Sequence, residues 1–429
     1  MTTDRPNPLY AFYGDDFTGS TDVLEALALH GLPAVLFTHP PAERELEAFA
    51  ECRAIGIAGE SRSRDPQWMT ENLPTVFARM KALGAPFNHY KVCSTFDSAP
   101  QVGSIGRAME LGRSAFNAEF VPVVVGAPHL GRSVAFGNLF AAADGAMCRI
   151  DRHPTMQHHP VTPMDEADLR LHLAQQTHLR MGLVDLIAIQ AGFMEERLQA
   201  ELAAGAEAII FDGIENAMLD ETARSLWERA IVYPLFAVGS SGLTYGLLRH
   251  WRRLGLIGDK SQLRQASGVD RLLVLSGSCS RRTGEQILRA ERDGFLALRL
   301  EGQEAWSAQT SKAIDALAQG QSVVLYTALG TQAQDRQYGE AFGIALGRLL
   351  RELLVASGVR RIVVAGGDTS THAVKQLGLD ALTFLAPLVP GAPLCRGHAS
   401  GSPMDGLELA LKGGQIGPEE FFAQVRDGV

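Results

Sequence analysis

The sequence predicts an α/β protein of two lobes, each a mainly parallel sheet flanked by helices, and three observations predict it. A short apolar run, a turn rich in Gly, Ser and Asp, and a helix-period segment recur in that order along most of the 429 residues. The apolar runs are continuous rather than alternating, as in parallel strands covered on both faces. Near residues 255–270 the text becomes polar and aperiodic (LGLIGDKSQLRQASGVD), and then the same phrase resumes. Alternating strands and helices give the fold class. The interruption gives the boundaries: a first domain over 1–255, a linker over 256–270 and a second domain over 271–429. Two such runs also predict a cleft between the lobes, where an active site is expected.

LYAFY (9–13) is the first strand, and the helix TDVLEALALHG follows the turn GDDFTGS, with Ser20 as N-cap and Gly31 as its stop. AVLF (34–37), VPVVVG (121–126), DLIAIQ (185–190), AIIFD (208–212) and LFAVG (235–239) are further strands. The segment 147–169 is too rich in Pro and His for a strand and reads as an ordered excursion before a capped helix. In the second lobe, RLLVLSGSCS leads into a helix through Glu285, SVVLYTALG into a long helix around 336–357, and RIVVAGGDTS into THAVKQLG.

Composition removes several functions. A net charge of −9 argues against a nucleic-acid surface. Residues 1–8 lack the apolar core of a signal peptide, and no run approaches the roughly 18 apolar residues of a membrane span. Cys52, Cys93, Cys148, Cys279 and Cys395 are scattered without CxxC spacing, which fits thiols in a reducing cytoplasm.

In open parallel sheets, ligands meet the carboxyl ends of strands, where turns deliver side chains and helix N-termini deliver free N–H groups. In GDDFTGS, Asp15 and Asp16 can orient a hydroxyl, accept its proton or hold a hydrated Mg²⁺. The plainer reading is that one caps a helix and the other is solvated. In HYKVCSTFDSAP, Lys91 can neutralise an anion while Ser94 and Thr95 donate to it, or the loop is simply an N-cap. AGESRSRDP adds Arg62 and Arg64, whose guanidinium groups suit a carboxylate. SGSCSRRTGEQI puts Ser278 and Ser280 ahead of a helix, a phosphate-contact geometry. In AGGDTSTHAV, Gly366 and Gly367 let a phosphate approach the backbone, Asp368 can reach a metal or ribose, and Thr369 opens a helix. LKGGQIGPEEFF carries Gly413, Gly414 and Gly417, which suit a loop pressed against a nucleotide, though such turns are also simply turns. GAPHLGRS nearly spells a P-loop, but Pro128 lies inside it and a poor helix follows. His153, His158 and His159 lack the helical spacing of metal ligands and read as a solvated or packing loop.

Taken together and in order, these turns resemble the four-carbon acid sugar kinase family. YGDDFTGSTD, ESR (60–62), YKVCST (90–95), APHLGRSVAFG (127–137) and HHPVTP (158–163) carry the resemblance in the first lobe. VGSSGL (238–243), GSCSRRTGEQI (277–287), AGGDTSTHAV, and PGAPL through LKGGQIGPEEFF continue it over nearly the whole chain. The resemblance implies an N-terminal domain that binds a sugar acid and a C-terminal domain that binds ATP. It implies Mg²⁺-dependent transfer of the γ-phosphoryl of ATP to the terminal (C4) hydroxyl of a threonate, erythronate or 3-oxo-tetronate. By motif, Asp15 and Asp16 are the catalytic candidates, and Arg62, Lys91, Ser94 and Thr95 hold the acid. Ser278, Ser280, Gly366, Gly367, Asp368, Thr369 and Gly413 hold the nucleotide. The expected partners are the sugar acid and ATP, with neither nucleic acid nor membrane, and a homodimer is compatible with this reading.

One stretch departs from the family. Where the family reads K-x-D-S-T-x-R-G, this chain reads KVCSTFDS, so Cys93 replaces an aspartate and Asp97-Ser98 replace Arg-Gly. Arg107 is the candidate to compensate the lost cation. A sugar-acid sensor on the same two lobes is the rival function, but it has no need of the second lobe's Gly-rich turns. A dinucleotide dehydrogenase lacks its GxGxxG and a serine hydrolase its GxSxG elbow.

Overall fold

The computed structural model describes residues 7–143, 145–159, 161–258, 265–301, 306–330 and 340–428, and of Asp368 only the backbone. The chain divides into two compact units, and their membership is interleaved. The first holds Met1–Asp15, Ala26–Ala34 and Pro40–Lys260; the second holds Asp16–Glu25, Val35–His39 and Ser261–Val429. Each unit is α/β with a mainly parallel sheet flanked by helices, as the alternation predicts.

In chain order the strands are β1 (Tyr10–Gly14), β2 (Ala34–Phe37), β3 (Ala54–Ala58), β4 (Phe87–Lys91) and β5 (Val121–Val124). There follow β6 (Arg132–Ala135), β7 (Asn138–Ala143), β8 (Ala146–Arg149), β9 (Met181–Val184), β10 (Ala208–Phe211) and β11 (Leu235–Gly239). The C-terminal part holds β12 (Leu273–Ser276), β13 (Leu296–Arg299), β14 (Val323–Tyr326), β15 (Arg361–Ala365), β16 (Ala381–Val389), β17 (Ala392–His398) and β18 (Glu408–Lys412).

In the first unit the order β3-β1-β4-β11-β5-β10-β9 is parallel throughout. Its central strands are buried on both faces, which is why YAFYG, AIGIA and LFAVG are continuous apolar text. Gly14 is in register with both Ala58 and Lys91, and Lys91 with Gly239, so four strands end level. A small antiparallel sheet, β6-β7-β8, is anchored to this body at its β6–β7 turn, Phe136-Gly137. Phe136 (φ 51°) and Gly137 (φ 77°) are both left-handed, the geometry of a tight hairpin. Buried Asp212 fixes that turn by accepting from Phe136 N (2.5 Å) and Gly137 N (2.9 Å), and from Leu186 N (2.9 Å).

In the second unit β13-β14-β12-β15-β18 are parallel, and β17, β16 and β2 continue the sheet in antiparallel pairing. Its core packs Leu272, just before β12, and Val274, Val363 and Ala410 of the sheet against Ile287, Phe421 and Phe422.

Three sequence expectations are corrected. DLIAIQ is not a strand: Leu186–Gln190 is a short helix, because Asp185 Oδ1 accepts from Ile187 N and Ala188 N (3.0 Å each). The strand is the preceding MGLV, and a short apolar run does not by itself distinguish the two. The first helix starts at Phe17, not after Ser20. Asp16 Oδ1 accepts from Gly19 N at 2.6 Å, while Ser20 Oγ, already inside the helix, donates back to Asp16 O at 2.6 Å. Gly31 (φ 76°) stops that helix as expected. The helix after SGSCS runs Arg281–Arg292, past Glu285. The excursion 147–169 opens as part of β8 and ends in Leu169–Ala174, capped by Asp168 on Arg170 N at 2.9 Å. Residues 259–264 of the linker and 336–339 of the long helix lie outside the described residues; that helix is described over Glu340–Ser357.

Candidate active site

The level ends of β1, β3, β4 and β11 put the segments that follow them on one edge of the first unit. Asp15, the first residue beyond β1, is 4% exposed. Its N–H donates to Lys91 O at 3.0 Å, and its carboxylate accepts from Arg62 Nε (3.1 Å) and Arg62 Nη2 (2.6 Å). Arg62 lies in the turn Ser61–Ser63 after β3, and its backbone N–H donates to Asp15 O at 3.1 Å. Guanidinium and carboxylate are therefore fixed to each other by both backbone and side chain, a preorganised bidentate pair. Lys91, which ends β4, is buried beside them.

The loop after Lys91 is strained to bring polar groups together. Phe96 is fully buried at φ 57°, a conformation uncommon for an aromatic residue. Phe96 N donates to Cys93 O (3.0 Å), Ser98 Oγ donates to Phe96 O (3.1 Å), and Ser98 Oγ lies 2.8 Å from His172 Nε2. As a result Thr95 Oγ1 reaches Asp97 Oδ1 at 2.5 Å and Cys93 Sγ at 2.9 Å. Thr162 Oγ1 approaches Asp97 Oδ2 at 3.5 Å. Burial alone would raise the Asp97 carboxyl, but the charges of Arg62 and His159 and the Thr95 hydroxyl hold it below the usual carboxylate range. Burial, then the charge of Asp97, pushes the Cys93 thiol up. Arg132 opens β6, donates to Leu130 O at 2.7 Å, and couples electrostatically to Cys93.

The cation that answers Asp97 is thus Arg62. Arg107 does not play that part: it is spent on Glu110 (2.7 Å) and Thr70 (3.1 Å). Ser94 lies half-buried in the same loop. The histidines of the excursion organise its turns, His153 Nδ1 accepting from Thr155 N (3.2 Å) and His159 Nδ1 from Thr162 N (3.1 Å).

Asp16 groups with the second unit. Besides capping its helix, it places Oδ2 3.5 Å from where a side chain on Gly367 would begin. Thr18, two residues on, has a buried hydroxyl with no hydrogen-bond partner among the described residues, and its methyl lies 4.0 Å from the corresponding point on Gly413. Three turns meet here, at the ends of the neighbouring strands β12, β15 and β18. Gly277 N donates to Ala365 O (3.1 Å) and Gly366 N to Lys412 O (2.9 Å). At Gly277 a Cβ would stand 2.1 Å from Thr369 Oγ1, so only glycine fits. Ser278 Oγ accepts from Ser280 N (3.2 Å), and Ser280 Oγ donates to Gly414 O (2.5 Å) while accepting from Thr283 N (3.3 Å). Ser278, Ser280, Gly366, Gly367, Thr369 and Gly413 are therefore brought together; the side chain of Asp368 lies outside the described residues. The helices Arg281–Arg292 and Gly367–Leu377 begin at these turns, an arrangement that favours an anion.

Lys412 was not singled out by sequence reasoning. It closes β18 fully buried, and its Nζ donates to Thr283 Oγ1 at 3.0 Å. The available signal was a lysine ending an apolar strand directly before Gly413-Gly414.

Residues 10–247 match the family model described as a sugar-binding N-terminal domain, and residues 273–422 the one described as a nucleotide-binding C-terminal domain. The chain is 44% identical over 444 residues to the 3-oxo-isoapionate kinase of Paraburkholderia graminis, covering 98% of this chain and 94% of that protein. It is 33% identical over 443 residues to the 3-oxo-tetronate kinase of Pseudomonas fluorescens, covering 99% and 98%. A solved structure from Salmonella typhimurium LT2 superposes with a TM-score of 0.78 at 25% identity, covering 97% of this chain and 98% of that one. No helix among the described residues is long and apolar enough to cross a membrane.

Proposed function

Since the chain belongs to the four-carbon acid sugar kinase family and is a sugar-acid kinase, we propose that it transfers the γ-phosphoryl of ATP to the terminal hydroxyl of a 3-oxo sugar acid, with 3-oxo-isoapionate preferred over the 3-oxo-tetronates. The observation that carries the reading of the acid is the loop Cys93–Asp97. It departs from the family's K-x-D-S-T-x-R-G pattern at the residues that gather round Thr95, and the 44% identical relative is named for 3-oxo-isoapionate while the 33% identical one is named for 3-oxo-tetronate.

Phosphoryl transfer asks the protein to position reactants and to neutralise the oxygens of the transferring group. Arg62, held by Asp15, takes the acid's carboxylate, with Lys91, Ser94 and Thr95 donating to its oxygens. The Gly277–Ser280, Gly366–Thr369 and Gly413–Gly414 turns take the phosphates. Asp16 orients the attacking hydroxyl. As the new O–Pγ bond forms and the bond from Pγ to the bridging oxygen of ADP breaks, the hydroxyl proton passes to the Asp16 carboxylate and on to water. Mg²⁺ brought in with ATP would supply charge neutralisation on the phosphates, and the hard oxygen of Asp16 beside Gly367 would reach it through a coordinated water rather than directly.

A coupled ADP-release assay with Mg²⁺, run across 3-oxo-isoapionate, the 3-oxo-tetronates, threonate and erythronate, tests the proposal. The expected result is the highest kcat/KM on 3-oxo-isoapionate. A higher value on a tetronate overturns the choice of acid, and ADP release with none of them overturns the reaction.

A further inference from the structure

The face of the second unit's sheet that packs under the Arg281–Arg292 helix is apolar until its last row. Val274, Val363 and Ala410 lie in the core cluster with Ile287 and Ala290 of that helix. Two residues further along the strands, Ser276, Ala365 and Lys412 stand in register. The apolar face therefore ends, at the carboxyl edge of the sheet, in a buried hydroxyl and a buried ammonium. Ser276 Oγ has no hydrogen-bond partner among the described residues. Lys412 has three protons to donate and gives one to Thr283 Oγ1, whose own hydroxyl donates to Gly414 O at 2.8 Å.

Apart from the Thr283 hydroxyl that accepts from it, the described surroundings of Lys412 disfavour its charge. It is stripped of water, and its hydrogen-bond partner is the third residue of a helix whose N-terminal end is positive. Among the described residues, the charged groups on the packed elements do not compensate; the side chain of Asp368, on the Gly367–Leu377 helix beside β18, lies outside them. Arg281 and Arg282 both turn to Glu285 (3.1 Å each), and Glu419 lies 3.9 Å from Arg282. Arg361 and Glu408 pair with each other (2.6 Å) at the far end of β15 and β18. Asp16 faces Gly367, and burial pushes the nearby Cys279 thiol up. Burial accordingly draws the Lys412 ammonium down to about 7. An anion seated on the adjoining turns supplies the missing charge.

Resting on the kinase reading above, we propose that Lys412 is a phosphate-binding residue of the nucleotide unit, and that it takes up a proton as the phosphates of ATP or ADP settle against the Gly277–Ser280 and Gly413–Gly414 turns. Binding is then coupled to pH through a residue of the sheet.

Calorimetric titration of the full chain with ADP at pH 7.5, in two buffers of different ionisation enthalpy, counts the protons exchanged. The wild type is expected to take up ~0.7 proton per ADP more than Lys412→Met. The variant is expected to bind ADP at least tenfold more weakly, with adenosine binding both alike. Lys412→Arg, permanently charged, is expected to restore affinity without the uptake. Lys412→Met removes a buried charge and should melt no lower than the wild type; if it does melt lower, Lys412→Gln takes its place. Equal ADP affinity and equal proton counts in wild type and variant overturn the role of Lys412 and leave the nucleotide reading intact. Failure of ADP and ATP to bind the wild type overturns the nucleotide reading instead. Inorganic pyrophosphate then decides Lys412 separately: uptake lost in the variant keeps it as an anion ligand, and no uptake removes it.

Discussion

Glu25 offers a test of the second unit that does not depend on substrate. It lies in the Phe17–Leu29 helix that Asp16 caps, is 3% exposed, and accepts from Gly391 N at 2.7 Å at the β16–β17 turn. Burial raises its carboxyl to about 7, aided by the charge of Asp22 and opposed by the Gly391 N–H; in the unfolded chain it titrates near 4.5. Between those values the folded chain keeps a proton that the unfolded chain has lost. Stability therefore falls as pH rises through that window, and the loss is complete above pH ~7. At ~1.4 kcal/mol per pH unit it amounts to about 3 kcal/mol. Glu25→Gln is uncharged at every pH and keeps an amide oxygen for Gly391. Urea unfolding of wild type and variant, followed by circular dichroism from pH 4.5 to 8, gives the difference directly. The other carboxylates, such as Asp97 and Asp168, which are held low and lose their contribution as pH falls, cancel in that difference. The variant should gain steadily on the wild type, reaching an advantage of about 3 kcal/mol at pH 8. A difference that does not change with pH would refute the reasoning.

Asp16→Asn keeps an oxygen for Gly19 N but loses the charge, so kcat should fall by ~10²- to 10⁴-fold while the melting temperature holds; wild-type kcat would remove Asp16 from the chemistry. Arg62→Lys loses the fork by which Asp15 holds this cation in place, and steady-state kinetics should show KM for the acid rising at least ~10-fold with KM for ATP unchanged. Asp212→Ala strands the buried N–H groups of Phe136, Gly137 and Leu186, a loss of about 3 kcal/mol or more in denaturant unfolding, with Asp212→Asn recovering part of it.

The α/β class was legible because parallel strands covered on both faces must be written as continuous apolar text, and YAFYG, AIIF, LFAVG and RIVVA all are. The same property misled at DLIAIQ, where an aspartate cap outweighs β-branched residues and no periodicity fits into five positions. The turns that form the two candidate sites were also visible, since glycines and hydroxyls at strand ends have few other uses. What the text cannot convey is partnership. That Arg62 grips Asp15 across 47 positions, and that it rather than Arg107 answers Asp97, depends on which strands end level. Lys412 escaped notice for a related reason: a lysine ending a strand usually means solvent, and only the helix packed over it shows that water is excluded.

The interleaving of the two units has a consequence for how the chain is made. The boundary falls at the Asp15–Asp16 peptide bond, and residues 16–25 and 35–39 belong with the C-terminal body. Strand β2 pairs with β16, and Glu25 tethers Gly391, both more than 340 positions away. On the ribosome these early segments emerge first yet must wait for almost the last residues before their hydrogen bonds can close. A nascent chain arrested shortly before residue 381 would therefore display residues 17–25 of the first helix and the β16-facing edge of β2 without their C-terminal partners, a window in which a holding chaperone has something to grip.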